Sequence, residues 1–328
     1  MGRVHLSTML DRDDTDVAAV CEPLPAAFEA ATAEFAKHGL PAPPNEPDWA
    51  RFIERFASEL DVVFIVTPHV LHEIQTTACL EAGLDVFLEK PMVMDSAEAE
   101  RLIAARDRTG RLLVVAFPGS LSPAVRTAAR MIAAGEVGSI LNINAVTWQD
   151  WDRHTLGTWR QEPAVAGGGF LFDTGAHMLN TVCDLAGEDV SEVAAWLEDD
   201  GRDVDIRATV MARLPSGALI TMNACGRAIP SLGSDIHVYC ERATLRTGIW
   251  GERLEIQRSG RHRLAPVRSV ARRPVWEQFL AVRARVEPNP CPPEVGLRMA
   301  RLWDAIKASS ASGGAVVRLD DHAIRGAA

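Results

Sequence analysis

The sequence predicts an α/β protein with two parts: a doubly wound parallel sheet at the N-terminus, and a C-terminal α+β domain with a large open, mostly antiparallel sheet. Short apolar runs alternate with amphipathic, alanine-rich stretches over the first 120 residues, as in parallel strands joined by crossover helices. After Pro123 the runs lengthen and are separated by turn signals such as Pro215-Ser216-Gly217, which is typical of antiparallel strands. We therefore divide the chain into residues 1–118 and 119–328.

The N-terminal elements are predicted from short apolar runs and from the stretches between them. Strands are expected at 16–21, 61–66, 85–88 and 112–116. Crossover helices are expected at 25–36, 71–82 and 96–109. This alternation predicts a doubly wound domain whose ligands bind at the carboxyl ends of the strands.

The C-terminal elements begin with a helix predicted at 123–134 and an apolar run at 140–151. Further strands are expected at 190–197, 205–214, 218–227, 234–246 and 253–258. A helix at 293–309 and a short strand at 315–319 are expected to close the chain.

Composition narrows the class of partner. The 328-residue chain has a formal net charge of −10, which argues against nucleic acid or an anionic membrane as its main partner and favours a small molecule. Its six cysteines lie far apart without a Cys-x-x-Cys pair, so we expect reduced thiols in a cytoplasmic protein and no structural metal. Apolar runs such as 62–66 are too short to span a bilayer, and no export leader is expected.

A glycine triplet followed by an acid and a histidine is the first candidate site. Gly167-Gly168-Gly169 precedes Asp173 and His177, which share one face if the segment is helical. Glycine lets backbone approach a ligand closely, and a carboxylate beside an imidazole is suited to general acid and base chemistry. The alternative is a loop entering a helix, with His177 as an ordinary core residue.

Two polar motifs follow neighbouring predicted strands. Glu89-Lys90-Pro91 ends the run 85–88, and Thr67-Pro68-x-x-x-His72 ends the run 61–66. Both therefore lie at the carboxyl edge of the predicted sheet, where ligands bind. The alternative for Lys90 is a salt-bridged surface lysine.

These three segments, in this order and spacing, resemble the glucose-fructose oxidoreductase and inositol dehydrogenase family, the Gfo/Idh/MocA-like oxidoreductases. The resemblance extends over essentially the whole chain, because 293–319 is similar to the family's closing helix and strand. It implies an N-terminal Rossmann domain that binds NAD(P), and a C-terminal domain for substrate contacts and subunit interfaces. It also implies oxidation of a secondary hydroxyl of a sugar or cyclitol, or reduction of the matching ketone.

The resemblance assigns roles residue by residue. Lys90 would lie between the nicotinamide ribose and the reacting hydroxyl, Asp173 would orient the substrate, and His177 would take the hydroxyl proton. The chemistry is reasonable, because hydride leaves carbon only as the oxygen loses its proton, and an ammonium stabilises the developing alkoxide. The residues implied to contact the cofactor are Gly2, Glu22, Thr67, Pro68, His72, Glu89, Lys90, Trp159 and Arg160, although His72 also fits a local packing role.

Glu22 favours NAD over NADP. Glu22 follows the predicted strand 16–21. In a dinucleotide fold an acid at this position accepts the adenosine ribose hydroxyls and repels a 2′-phosphate. The following Pro23 and Leu24 supply no compensating positive charge. The alternative is an exposed acid at a strand end.

Two segments depart from the family pattern. The start, Met1-Gly2-Arg3-Val4-His5, resembles the end of a G-x-G-x-x-G turn with Gly2 as its third glycine, so the first strand and the first two glycines are not in this sequence. We therefore expect the chain as written to bind dinucleotide poorly and to fold less stably than a form that has them. Phe117-Pro118-Gly119-Ser120 stands where the family has polar or basic residues, which leaves the substrate's identity open.

Two other functions stay open. An NAD-dependent glycosidase could use the same fold, lysine and histidine, and a non-catalytic cofactor-dependent sensor or scaffold is compatible with an incomplete glycine turn. We also expect a homo-oligomer, a dimer or tetramer, because strands between 190 and 258 carry apolar residues on both faces.

Overall fold

The computed structural model describes residues 2–268, 271 and 273–319. Its N-terminal sheet has three parallel strands in the order β1-β2-β3. The strands are β1 (Val62–Ile65), β2 (Asp85–Leu88) and β3 (Leu113–Val115). They confirm three of the four predicted runs, and β2 lies in the middle with Val86, Phe87 and Leu88 fully buried.

The helices of this part are α1 (Gly2–Leu10), α2 (Pro25–Lys37), α3 (Trp49–Phe56), α4 (His72–Glu81) and α5 (Ser96–Thr109). Their ends follow local chemistry. The Asp95 side chain accepts a hydrogen bond from Glu98 N (2.8 Å) at the start of α5, and Gly110 ends that helix with a φ of +64°. Helix α3, capped by Asp48, was not predicted.

The predicted strand at 16–21 is wrong. Val20 makes one isolated parallel bridge to Asn45, and the rest of the run has no ladder partner among the described residues. An apolar run becomes a strand only when a neighbouring strand satisfies its backbone, and here the neighbour supplies one residue.

The C-terminal sheet has nine strands in the order β11-β10-β9-β8-β4-β7-β6-β5-β12, and its β4–β7 pair is parallel while the other pairs are antiparallel. The strands are β4 (Ile140–Trp148), β5 (Glu192–Glu198), β6 (Arg207–Arg213), β7 (Leu219–Cys225), β8 (Gly233–Cys240), β9 (Ala243–Thr247), β10 (Glu255–Arg258), β11 (Ala265–Pro266) and β12 (Val317–Arg318). The predicted run 234–246 divides at Glu241-Arg242 into β8 and β9. The mostly antiparallel open sheet is confirmed.

The remaining helices are α6 (Pro118–Leu121), α7 (Pro123–Ala133), α8 (Trp151–Thr155), α9 (Pro163–Ala166), α10 (Phe170–Asp173), α11 (Gly175–Ala186), α12 (Val275–Arg283) and α13 (Pro293–Ala311). Helix α11 packs against β4, and α13 packs against β5 and also against α5 and β3 of the N-terminal part. One hydrophobic cluster therefore runs through both sheets. Within the described ranges, no helix has the length and apolar character needed to cross a membrane.

Candidate active site

Lys90 and Asp173 bring the two parts of the chain together. The Lys90 ammonium donates to the Asp173 backbone oxygen (2.7 Å) and to Asp173 Oδ1 (3.0 Å), and both side chains are about nine-tenths buried. Lys90 follows β2 and Asp173 ends α10, so the contact joins a strand end of the N-terminal sheet to the glycine segment. Lys90 is therefore a buried, paired cation rather than a surface lysine.

The second carboxylate oxygen of Asp173 is also engaged. Oδ2 accepts from Trp151 Nε1 (2.9 Å) and lies 3.3 Å from Arg160 Nε. Burial alone would raise the pKa of Asp173, but the charges of Lys90 and Arg160 outweigh it and hold that pKa well below its usual range. Asp173 is thus a fixed carboxylate, which suits an orienting role better than proton transfer.

His177 lies on the helix that follows Asp173. Thr174, between α10 and α11, keeps right-handed helical angles (φ −77°, ψ −39°), so the backbone from Asp173 to His177 stays helical. Asp173 is the last residue of α10 and His177 the third residue of α11, so the two candidate residues lie about one turn apart on consecutive helices.

The imidazole of His177 is 9% exposed, and its Nδ1 is buried without a hydrogen-bond partner among the described residues. The ring meets Phe117 edge-on (centroids 6.4 Å apart) and lies 5.9 Å from the Trp250 ring. Burial, reinforced by the nearby positive charge of Lys90, lowers the pKa of His177 well below its usual value, although Asp173 acts in the opposite direction. His177 is therefore neutral near pH 7, and Nε2 is the ring nitrogen left for a ligand.

The glycine triplet lets neighbouring parts of the protein approach its backbone closely. A Cβ on Gly168 would lie 2.6 Å from Trp303 Cζ2, and a Cβ on Gly169 would lie 2.0 Å from the Asp205 backbone oxygen. Gly167 adopts a φ of +77° at the end of α9. Gly168 and Gly169 leave no room for a side chain, because neighbouring elements contact their backbone directly.

Asp205 anchors the glycine segment from the edge of β6. Its Oδ1 accepts from Gly169 N (2.7 Å), its Oδ2 accepts from Leu171 N (2.8 Å), and its backbone oxygen accepts from Phe170 N. Burial raises the pKa of Asp205, although the two backbone N–H donors act against it. These three bonds fix the start of α10, the helix that ends at Asp173.

Glu89 contacts helix α1 and the backbone of Lys90. Glu89 Oε1 lies 2.7 Å from His5 Nε2 of helix α1, and Oε2 accepts from Lys90 N (3.0 Å). Burial opposes ionisation, but the bond from His5 and the charge of Lys90 together lower the pKa of Glu89. The carboxylate therefore connects α1 to the strand end that carries Lys90.

His72 lies against the backbone of both strand ends, which agrees with its alternative local packing role. It is fully buried, with Nδ1 2.8 Å from Pro91 O and Nε2 2.9 Å from Thr67 O. Burial lowers the pKa of His72, and the neutral ring donates to one of these two oxygens while it lies between the two strand ends. The Thr67 hydroxyl donates to Gln75 Oε1 (2.8 Å), and Pro68 begins a short 3-10 turn over His69–Leu71.

Trp159 and Arg160 lie beside the acid. They form a short 3-10 turn, and the Arg160 guanidinium stands 4.5 Å from the Trp159 ring centre while it contacts Asp173. Gln161 Nε2 holds the turn by donating to Asp152 O (2.8 Å) and Thr155 Oγ1 (3.0 Å). Arg160 thus contacts the Asp173 carboxylate, and Trp159 lies against the Arg160 guanidinium.

Gly2 lies beside the end of β1, and Glu22 contacts Asn45 and Leu24. Gly2 begins α1, and a Cβ there would contact Val66 Cγ2 at 3.4 Å. Glu22 Oε1 accepts from Leu24 N (2.9 Å), and its own N–H donates to Asn45 Oδ1. A helix start and exposed apolar side chains beside the strand end fit an extended nucleotide. The exposed side chains are Val4, Val66, Val70 and Ile74.

The segment Phe117-Pro118-Gly119-Ser120, which departs from the family pattern, packs against α11. Phe117 packs on His177, and a Cβ on Gly119 would lie 2.1 Å from Thr181 Oγ1. The buried Ser120 hydroxyl donates to Asp184 Oδ2 (2.6 Å), so it is not free for a substrate.

Sequence reasoning missed three residues of this site. Trp151, Asp205 and His5 contact Asp173, the glycine segment and Glu89 from positions far away in the chain. Trp151 lay at the end of the predicted run 140–151, but no local pattern distinguished it. In the part of the chain that the structure describes, no cluster of three or more His, Cys, Asp or Glu could hold a metal ion.

Comparison with known proteins gives matches to two family models. The family model described as "Oxidoreductase family, NAD-binding Rossmann fold" matches residues 1–117, and the model described as "GFO/IDH/MocA C-terminal domain" matches residues 125–246. Levoglucosan dehydrogenase of Pseudarthrobacter phenanthrenivorans is 32% identical over 143 residues, 43% of this chain and 36% of that protein. The scyllo-inositol 2-dehydrogenase (NADP(+)) of Bacillus subtilis is 31% identical over 128 residues, 39% of this chain and 35% of that protein. The chain thus matches about a third of the length of these curated relatives.

Solved structures match along nearly the whole chain. A levoglucosan dehydrogenase in complex with NADH and levoglucosan superposes with a TM-score of 0.82 at 22% identity, covering 98% of this chain and 96% of the other. An inositol dehydrogenase homologue complexed with NAD+ from Azotobacter vinelandii gives 0.81 at 19% identity, covering 96% and 93%. At these identities the likeness establishes the fold. Taken with the two family models, it shows that this chain belongs to the GFO/IDH/MocA oxidoreductase family, with an NAD-binding Rossmann fold.

Proposed function

We propose that this protein is an NAD-dependent dehydrogenase that oxidises a secondary hydroxyl of a sugar, sugar derivative or cyclitol, or reduces the matching ketone. The observation that carries the proposal is the buried Lys90 ammonium, held 3.0 Å from Asp173 Oδ1, whose charge also acts on the neutral imidazole of His177. The relatives named as levoglucosan and scyllo-inositol dehydrogenases support a polyol as the substrate class.

The three residues divide the work of removing a proton from a hydroxyl. His177 accepts the proton at Nε2, because Nδ1 is buried and has no hydrogen-bond partner among the described residues. Lys90 stabilises the negative charge that develops on the substrate oxygen. Asp173 holds Lys90 in place and stays ionised as it does so. NAD, when bound, would supply the acceptor for the hydride.

The cofactor would lie across the carboxyl ends of β1 and β2. Gly2 at the start of α1 would face the phosphates, Thr67 and Pro68 would border the adenosine side, and Trp159 with Arg160 would cross over the nicotinamide side. Glu22 would accept the ribose hydroxyls, which favours NAD over NADP because a carboxylate repels a 2′-phosphate. Titration of the protein with NAD+ and NADP+ tests this preference, and tighter binding of NADP+ would overturn it.

Turnover is tested with a panel of levoglucosan, myo- and scyllo-inositol, D-glucose and their keto forms, each with NAD+ or NADH. The expected result is a substrate-dependent change in NADH absorbance that is lost in Lys90→Met and retained in the control Lys37→Met, whose side chain is exposed. Release of an aglycone from a glycoside without net NADH would indicate a redox-assisted glycosidase instead. Cofactor binding with no turnover of any compound would indicate a non-catalytic protein.

We also propose that residues 1–118 bind the cofactor and residues 119–328 carry substrate contacts and assembly. The outer face of the large sheet exposes large apolar side chains that a second copy would cover. They are Trp148, Trp196, Met211, Leu219 and Tyr239. The six cysteines are all free, which supports a reducing, cytoplasmic location.

A further inference from the structure

His69 follows Thr67 and Pro68 after the end of β1, and the sequence motif gave it no role. It is buried, and its Nδ1 lies 2.7 Å from the backbone oxygen of Ala166, immediately before the glycine triplet. A carbonyl oxygen only accepts hydrogen bonds, so Nδ1 carries the ring proton. This contact ties the end of β1 to the segment that leads to Asp173.

The other ring nitrogen of His69 is then an acceptor. Burial, together with the positive charge on Lys90 and the neighbouring His72, lowers the pKa of His69 to about 3, so the ring is neutral at physiological pH. Nε2 has no partner among the described residues, yet it is not sealed from solvent as His177 Nδ1 is. The tautomer is therefore set by the protein, and a lone pair is left available on Nε2.

The neighbours of the His69 ring place it beside the residues of the proposed reaction. The His69 ring stands edge-on to Trp159 (centroids 4.8 Å apart) and to Phe172 (5.8 Å), and the charges of Lys90 and Asp173 both reach it. Trp159 carries Arg160 on its face, and Arg160 reaches the Asp173 carboxylate. Like His177 Nε2, His69 Nε2 is thus a neutral acceptor beside the cations and the engaged carboxylate described here.

We infer that His69 Nε2 accepts a hydrogen bond from a bound ligand, either an N–H of the nicotinamide carboxamide or an O–H of the polyol. The inference deepens the proposed function and rests on it. It makes His69 a ligand-binding residue that selects for a donor group, whereas a merely structural histidine would only tie the loop.

Two variants separate the ligand contact from the loop contact. Asn carries its amide nitrogen where Nδ1 stands, so His69→Asn keeps a donor for Ala166 O and loses the Nε2 acceptor. His69→Phe loses both. His154→Asn is the matched control, because His154 is largely exposed on α8.

The first readout is cofactor affinity, measured by quenching of tryptophan fluorescence. If the partner is the carboxamide, His69→Asn weakens NAD+ by about 3- to 10-fold, the value of one hydrogen bond. It then leaves unchanged the affinity for 3-acetylpyridine adenine dinucleotide, which has no carboxamide N–H. If the partner is the polyol, NAD+ affinity stays at the wild-type value and KM for the best compound of the panel rises by a similar factor with kcat nearly unchanged.

The second readout uses only the wild-type protein and does not depend on turnover. In ¹⁵N spectra of the wild-type protein, with His69 assigned by selective labelling, Nδ1 should appear protonated and Nε2 unprotonated, and the Nε2 shift should move when NAD+ or the polyol is added. An Nε2–H tautomer, or no response to either ligand, would overturn the inference.

The two proposals fail differently. A wild-type protein that turns over polyol while His69→Asn matches it in both affinity and KM would refute the role of His69 alone. If the wild type turns over none of the compounds but His69→Asn binds NAD+ more weakly than the wild type does, the proposed dehydrogenase is refuted and the carboxamide contact is supported.

Discussion

The strand ends of the N-terminal sheet and the glycine segment build one site in opposite ways. At the strand ends, polar side chains serve the backbone: His72 contacts the oxygens of Thr67 and Pro91, and Glu89 accepts from the Lys90 N–H. In the glycine segment, a distant side chain, Asp205, fixes the backbone that carries Asp173. Lys90 and Asp173 are therefore held by different residues, Glu89 and Asp205, and the tertiary fold brings them into contact.

If the two regions act as one unit, removing their shared cation has the largest effect. Lys90→Met should lower kcat/KM by more than about a hundredfold, because the alkoxide loses its stabilising charge and Asp173 loses its main partner. The measurement is steady-state NADH formation on the best compound of the panel. Near wild-type turnover in Lys90→Met would contradict the claim that the two regions act as one unit.

Loss of the base should follow closely. His177→Asn should lower kcat by about a hundredfold with little change in NAD+ affinity, because the imidazole takes part in proton transfer and not in holding the cofactor. His154→Asn, on an exposed position, should behave as the wild type. A variant that loses NAD+ affinity and keeps kcat would contradict the assignment.

The pH dependence sharpens the same assignment. A base works in its deprotonated form, so activity is lost as pH falls through the pKa of His177, and burial with the Lys90 charge places that pKa below 6.5. The acid limb of kcat/KM should therefore lie below pH 6.5 for wild type. NMR titration of His177 in Lys90→Met should show the pKa rising, and an unchanged or lower value would argue against their proximity.

The support of the glycine segment should have a smaller effect. Asp205→Asn keeps the shape but offers one oxygen instead of two, so either Gly169 N or Leu171 N loses its acceptor. We expect a loss of about 1 to 3 kcal/mol in the free energy of unfolding and a roughly tenfold loss in kcat/KM. Denaturant unfolding of this variant is compared with that of Asp203→Asn, which is exposed. Equal stability of the two would show that Asp205 does not anchor the segment.

The outer sheet face should matter least for chemistry. Met211→Lys places a charge in the exposed apolar face, where Met211 is 46% exposed, and should shift the protein toward monomer by light scattering with kcat changed less than about twofold. Val286→Lys, at 75% exposure and away from that face, is the control. A wild-type protein that is monomeric at micromolar concentration would refute the proposed assembly.

Sequence reasoning found what depends on local pattern. The apolar runs of β1 and β2 are local, and the structure confirms them as strands. The run 16–21 failed because a strand needs a neighbour that no local pattern reveals.

The supporting contacts could not be predicted for the same reason. Asp205 binds Gly169 from 36 residues away, and His69 reaches Ala166 across 97. The functions assigned to Glu89 and His72 came from a motif, and their supporting roles emerge only once His5 and Pro91 are seen beside them.

The most direct test of a single catalytic unit is a double-mutant cycle of Lys90→Met and Asp173→Asn on kcat/KM. The account predicts strong non-additivity, with the double variant falling no further than the worse single variant and a coupling free energy above about 1 kcal/mol, because each residue acts through the contact with the other. Losses that multiply would contradict it, since they would mean that the strand end and the glycine segment contribute to catalysis independently.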